Sequence, residues 1–188
     1  MSRTLRLIAS DLRHKAAWVY ESERPADVLK ALLADGTPAM LLYRFMQASR
    51  RHRLAPLEMA FNRLNSMFCG CVIGRGAEFG PGFVLIHSIG VVINGGVRGG
   101  ERVLLEHQVT IGAERRRSPV LGDRVFVGAG AKILGAVTVG SGARVGANAV
   151  VVHDVPADTT VVGIPARPVP RKGETASAPP KTTGPASG

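Results

Sequence analysis

The sequence predicts a mainly β protein: a solenoid of six-residue repeats over residues 70–169, preceded by a small α-helical domain over residues 1–69. Three observations carry that prediction. Apolar residues recur every three or four positions up to about residue 68, and every six positions from Ile73 onward. Hydrophobic residues make up 45% of the chain but aromatic ones only 5%, which points to a core of small and β-branched side chains. The chain also holds 23 glycines, residues free to take the backbone angles of tight corners.

The helical segments come first. "DLRHKAAWVYES" and "ADVLKALLAD" each present one apolar stripe. "TPAMLLYRFMQASRRHRL" follows Gly36, with Pro38 in the first helical turn, and "PLEMAFNRLNSMF" repeats that arrangement from Pro56. About four helices are expected.

The grid begins at Ile73 and continues through Phe79, Leu85, Val91, Val97, Val103 and Val109, then Leu121, Val127, Ile133, Val139, Val145 and Val151. Small or β-branched residues recur four positions later, at Ala77, Ala113, Val125, Ala131, Val137, Ala143 and Ala149. Neither a helix nor a single strand holds a period of six, whereas a coil of short flat faces does. The one miss is Arg115, inside "GAERRRSPVLGD", so the wall is expected to open into an external loop near 113–120. Residues 170–188, rich in Pro, Ser, Thr, Ala and Gly, read as a disordered tail.

Several function classes are disfavoured. "FVLIHSIGVVINGGV" is too short and too glycine-rich to span a bilayer, and "MSRTLRLIASDLRHKAAW" lacks the apolar run of a signal peptide. A cytoplasmic protein without membrane contact is expected. Cys69 and Cys71 are too close for an unstrained disulfide and have no neighbours to complete a zinc site, so they read as reduced thiols, and no metal is expected. The net charge of +10 is densest in "SRRHR" (49–53) and "ERRRS" (114–118). No aromatic interleaving accompanies these runs, which makes nucleic acid a poor fit; an anionic small molecule or a plain solvated face serves as well.

At this point the chain resembles a known group. "VFVGAGAKILGAVTVGSGARVGANAVVVHDVPADTTVVGIPARPV", with "GAGAKILG" and "GIPAR" as its most specific pieces, is similar to the C-terminal coils of the left-handed β-helix acyltransferases, and within them of the serine acetyltransferases. The helical "LLYRFMQASRRHRLAPL" resembles that family's last N-terminal helices. The resemblance implies a left-handed coil with three faces per turn, a homotrimer with active sites between subunits, and acetyl-CoA lying along the coil edges.

It also implies roles. His87, in "LIHSIG", stands where the family has the histidine that takes the proton of an acceptor hydroxyl, chemistry suited to an imidazole. A backbone N–H near Gly112 would serve the oxyanion. Lys132, Arg167 and Arg171 would meet the coenzyme phosphates, while Ala129 and Ala147 would leave room for its pantetheine arm. Arg117 and His107 are acceptor-site candidates; His107 is equally read as the entry to the arginine loop. Asn94 and His153 fit corner and surface positions respectively.

The match departs from serine acetyltransferases at the acceptor site. Ile86 replaces the aspartate before the histidine, Val72 the aspartate that orients its ring, Ser118 the histidine of an Arg-His-Pro stretch, and Arg24 the aspartate of a "DPA" motif. Glu78, Glu101 or Glu106 are therefore candidates for orienting His87. A sugar hydroxyl of exopolysaccharide synthesis is the alternative acceptor, and a non-catalytic scaffold the reading from another class. The terminal "PASG" lacks the isoleucine with which relatives enter cysteine synthase, so no such complex is expected.

Overall fold

The computed structural model describes residues 2–169; the tail and Arg171 lie outside the described residues. Four helices come first: α1 Arg3–Tyr20, α2 Pro25–Leu32, α3 Thr37–Arg51 and α4 Ala55–Cys69. The Ser2 side chain accepts a hydrogen bond from the Leu5 N–H at the start of α1, and prolines open the other three helices. Gly70, at φ 57, ends α4 in the left-handed region and hands the chain to the coil.

Strands of two or three residues then wind into a three-faced parallel solenoid. The first face stacks β1 Val72–Ile73, β4 Val92–Ile93, β7 Thr110–Gly112, β10 Lys132–Leu134 and β13 Val150–Val151. On the second face are β2 Glu78–Phe79, β5 Arg98–Gly99, β8 Val120–Leu121 and β11 Thr138–Val139. β3 Val84–Leu85, β6 Leu104–Leu105, β9 Phe126–Val127, β12 Arg144–Val145 and β14 Thr160–Val162 form the third, closed by the antiparallel β15 Arg167–Pro168.

The six-residue grid holds in outline and slips in detail. Val72 pairs with Val92 and Val84 with Leu104, a turn of 20 residues, whereas Lys132 pairs with Val150 across 18. The two extra residues fall in the corner between β3 and β4, which contains His87. The second coil therefore points Ile93 and Leu105 inward, and the third opens with Ile111, each two positions later than the grid, with Gly99 making room for the Phe79 ring. The external loop adds the residues that restore phase, so Leu121 through Val151 fall on the grid again. Nothing in the apolar pattern betrays the slip, because Val91, Val97, Val103 and Val109 are themselves fully buried at the corners. Ala113, by contrast, is exposed in the loop and not a wall residue.

The helical domain closes the N-terminal end of the coil. Ala39, Met40, Tyr43 and Met46 of α3 join the same apolar core as Ile73, Phe79, Phe83 and Leu85. Each face of the first coil also has its outer strand groups satisfied by side chains. Asn62 donates to the Ile73 carbonyl at 2.7 Å. The Tyr43 hydroxyl donates to the Ala77 carbonyl and accepts from the Phe79 N–H, at 3.1 and 3.0 Å. Arg44 donates to the carbonyls of Phe79 and Gly80 at 2.9 and 2.6 Å. Asp11 accepts from the Phe83 N–H at 3.0 Å, and Lys15 donates to the Leu85 carbonyl at 2.8 Å. A buried carbonyl left without a donor costs about 1–3 kcal/mol, so these contacts matter to the junction. No described helix is long and apolar enough to cross a membrane.

Candidate active site

The slip in register gathers the candidate residues. Two positions past the third-face residues Leu85, Leu105, Val127 and Val145 stand His87, His107, Ala129 and Ala147, one above another at the corner leading to the first face. The Gly130 N–H donates to the His107 carbonyl at 2.9 Å, and the Asn148 N–H to the Ala129 carbonyl at 2.8 Å, tying successive turns of that corner together. His107 is thus the counterpart of His87 one coil on, not a residue of the small-side-chain line. The two rings meet edge to face, with centroids 5.9 Å apart.

The His87 side chain is 48% exposed, and its Nδ1 lies 3.0 Å from Oδ2 of Asp35. A carboxylate only accepts, so in the neutral ring Nδ1 carries the proton and Nε2 keeps its lone pair. Asp35 comes from the loop between α2 and α3, and neither it nor its pairing with His87 was foreseen from sequence. The pair is separated by 52 residues, and the only local signal is an Asp-Gly turn between two helices. Lys15, fully buried, holds that loop against the coil by donating to the carbonyls of both Asp35 and Leu85. Gly36 beside it has φ 74, and a Cβ there would run into the Leu85 carbonyl oxygen. Thr37 completes the loop by donating its hydroxyl to the Ala31 carbonyl at 2.6 Å.

None of the three candidate glutamates pairs with His87. Glu78 faces Arg98 on the second face at 3.9 Å; Glu106 faces His107, with Oε2 3.9 Å from Nδ1. Glu101 begins the corner after β5 and is engaged through its backbone by Asp123. The His107 Nδ1 is buried without a hydrogen-bond partner among the described residues. Lys132 reaches this corner too, donating to the Gln108 carbonyl at 2.7 Å. Arg167 is exposed on β15 over the last coil and donates to the Ala166 carbonyl.

Gly112 and Arg117 are not brought to His87 within one chain. Gly112 ends β7, so the first face separates it from the histidine corner. Arg117 closes a tight hairpin with Glu114, the two backbones exchanging hydrogen bonds at 2.9 Å. Arg115 and Arg116 turn that hairpin with φ of 47 and 66, the pattern of a type I′ turn. Asn94 accepts from the Ser118 hydroxyl and the Gly96 N–H, which gives it a corner role. His153 is exposed. Cys69 and Cys71 are free thiols, and burial pushes Cys71 up to about 12. "SRRHR" ends α3 beside a groove of about 580 Å³ that also takes in Arg3 and Arg98, along the second face. Among the described residues no three His, Cys, Asp or Glu side chains are grouped to hold a metal ion.

Known proteins share this fold. The model of the bacterial transferase hexapeptide (six repeats) family matches residues 118–153. A serine acetyltransferase of Helicobacter pylori (strain J99) is 41% identical over 142 residues, covering 73% of this chain and 83% of that protein. Soybean serine acetyltransferase, solved in complex with serine, superposes with a TM-score of 0.78 at 34% identity, over 88% of this chain and 69% of that one. A serine acetyltransferase in complex with CoA gives a TM-score of 0.75 at 29% identity, over 86% and 68% of the two chains. The helices, the coil and most of the relatives' length are shared, and the chain belongs to the serine acetyltransferase family.

Proposed function

We infer that this chain transfers the acetyl group of acetyl-CoA to the hydroxyl of L-serine, with His87 as the general base. The observation that carries the assignment is the His87 ring itself. It is open to solvent at a coil corner, with Nδ1 occupied and Nε2 left to accept a proton. As Nε2 takes the serine hydroxyl proton, the oxygen attacks the thioester carbonyl and a tetrahedral oxyanion forms. Collapse breaks the C–S bond, and the imidazolium returns its proton to the leaving CoA sulfur. No acyl-enzyme is required.

The remaining roles follow the corner. Ala129 and Ala147 leave a shallow track for the pantetheine arm, and Lys132 and Arg167 supply cations for the phosphates. Glu106, beside His107, offers an anion to the serine ammonium, and Arg117 a fork to its carboxylate. Gly112, as oxyanion donor, and Arg117 can serve a His87 corner only where subunits pack against each other through the first face. That face favours such packing: Val72 and Val92 expose 43% of their surface there, with Ile89, Leu134 and Val152 at its margins. A homotrimer with shared sites is the arrangement these residues support.

The test is thiol release from acetyl-CoA with L-serine, L-homoserine and simple sugars as acceptors. Serine-dependent release that falls at least about 100-fold in His87→Ala is the expected result. Release with sugars alone, or an unaffected His87→Ala variant, would overturn the assignment.

A further inference from the structure

We propose that Asp35 is the positioning residue of His87, so that the helical domain supplies half of a catalytic pair whose other half sits on the coil. The inference rests on His87 being the base. In the resembling enzymes the orienting carboxylate belongs to the coil, at the position this chain fills with Val72. Valine cannot accept from an imidazole N–H, and Val72 stands on the outer side of β1. The ring would be left to rotate and to exchange tautomers. Asp35 reaches the Nδ1 of His87 from another element, at 3.0 Å.

The surroundings are built for that contact. The Asp35 carboxylate is 76% exposed, so packing does not hold it; its backbone does. Lys15 pins the Asp35 carbonyl and the Leu85 carbonyl together from beneath, and Leu85 is two residues from His87. Gly36 lets the loop lie directly on that strand, where any side chain would collide with the backbone. The base and its orienter are therefore referred to one buried ammonium group. Preorganisation of this kind fixes the reactive lone pair before substrate arrives.

Three variants read together test the proposal: His87→Ala, Asp35→Ala and Asp35→Asn, each assayed in the full-length protein. Asp35→Ala is expected to lower kcat about 10- to 100-fold while KM for serine and acetyl-CoA stays within about 3-fold. Its melting temperature should match the wild type, because the side chain is exposed. Nitrogen-15 NMR of the histidine rings adds a readout that a merely structural role would not move. His87 should show the Nδ1–H tautomer in the wild type and shift toward Nε2–H in Asp35→Ala. Asp35→Asn, which presents an amide N–H or C=O to the ring, should lie between the two in kcat.

A raised KM for serine with kcat unchanged would make Asp35 an acceptor-binding group and overturn the proposal. So would full activity and an unchanged tautomer in Asp35→Ala beside an inactive His87→Ala. If His87→Ala were itself fully active, the site assignment would fail first, which keeps the two failures distinct.

Discussion

Lys15 shows how one buried charge governs the site from outside it. The residue is fully enclosed between α1 and β3, and burial pulls its ammonium down from 10.5 to about 8, against the opposing attraction of Asp35. The unfolded chain returns it to the higher value, so between these limits the unfolded state binds more protons and stability rises with pH. Cys71 works in the opposite sense, since burial raises its thiol from 9.0 to about 12 and stability falls as pH climbs above the lower figure. The Lys15 contribution is therefore best read between about pH 8 and 9. In Lys15→Met, chemical denaturation should show about 2 kcal/mol less stability at pH 7.5, with two carbonyls deprived of their donor, and no rise over that interval. A rise equal to that of the wild type would assign it to another group. His87 was legible in the sequence because an imidazole stands out in an aliphatic run that matches known coils. Asp35 was not, since an exposed aspartate in a turn carries no periodicity and its meaning comes only from a contact across 52 residues.

Among elements, α3 does most to join the two halves. Arg44 lies fully buried, gripping Asp11 through Nε and Nη2 at 2.7 and 2.9 Å while it donates to Gln47 and to the carbonyls of Phe79 and Gly80. Every donor it offers inward is used, so the desolvated charge is compensated from several sides. Arg44→Met would leave Asp11 as an uncompensated buried carboxylate, a loss of about 3–5 kcal/mol. A melting point lower by about 10 °C is expected in calorimetry, and a shift of under about 2 °C would show the pair to be dispensable. The element pattern also marks the limit of reading a repeat from sequence. Helix positions followed from spacing and prolines, and the external loop from its arginines. The two-residue insertion at the His87 corner escaped notice because valines at the corners mimic the inward residues they displace. Only strand pairing distinguishes Val91 from Ile93 as the wall residue. That distinction is what aligns His107 with His87.

At the scale of the molecule, the proposed assembly turns on the first face. Over the first two coils its outer surface carries Val72 and Val92 where the second face carries Glu78 and Arg98, an apolar patch beside a charged one. If the proposed shared-site trimer holds, Val92→Glu should yield monomers in light scattering coupled to gel filtration and lower activity at least about 100-fold, because Gly112 and Arg117 would be parted from the His87 corner they are proposed to serve. Monomers with full activity would show each chain to be complete alone. The fold class was readable from period and composition; the subunit count was not, since a single chain's pattern does not say what lies against its apolar side. Asn62, Tyr43, Arg44, Asp11 and Lys15 together occupy all three outer strands of the first coil. Without those side chains, the end of the coil becomes a triangular template matching the next turn it never received. Another molecule's unpaired strand edge could then pair with it. The helices that flank Asp35 are thus also what shields this open end of the coil from a second copy.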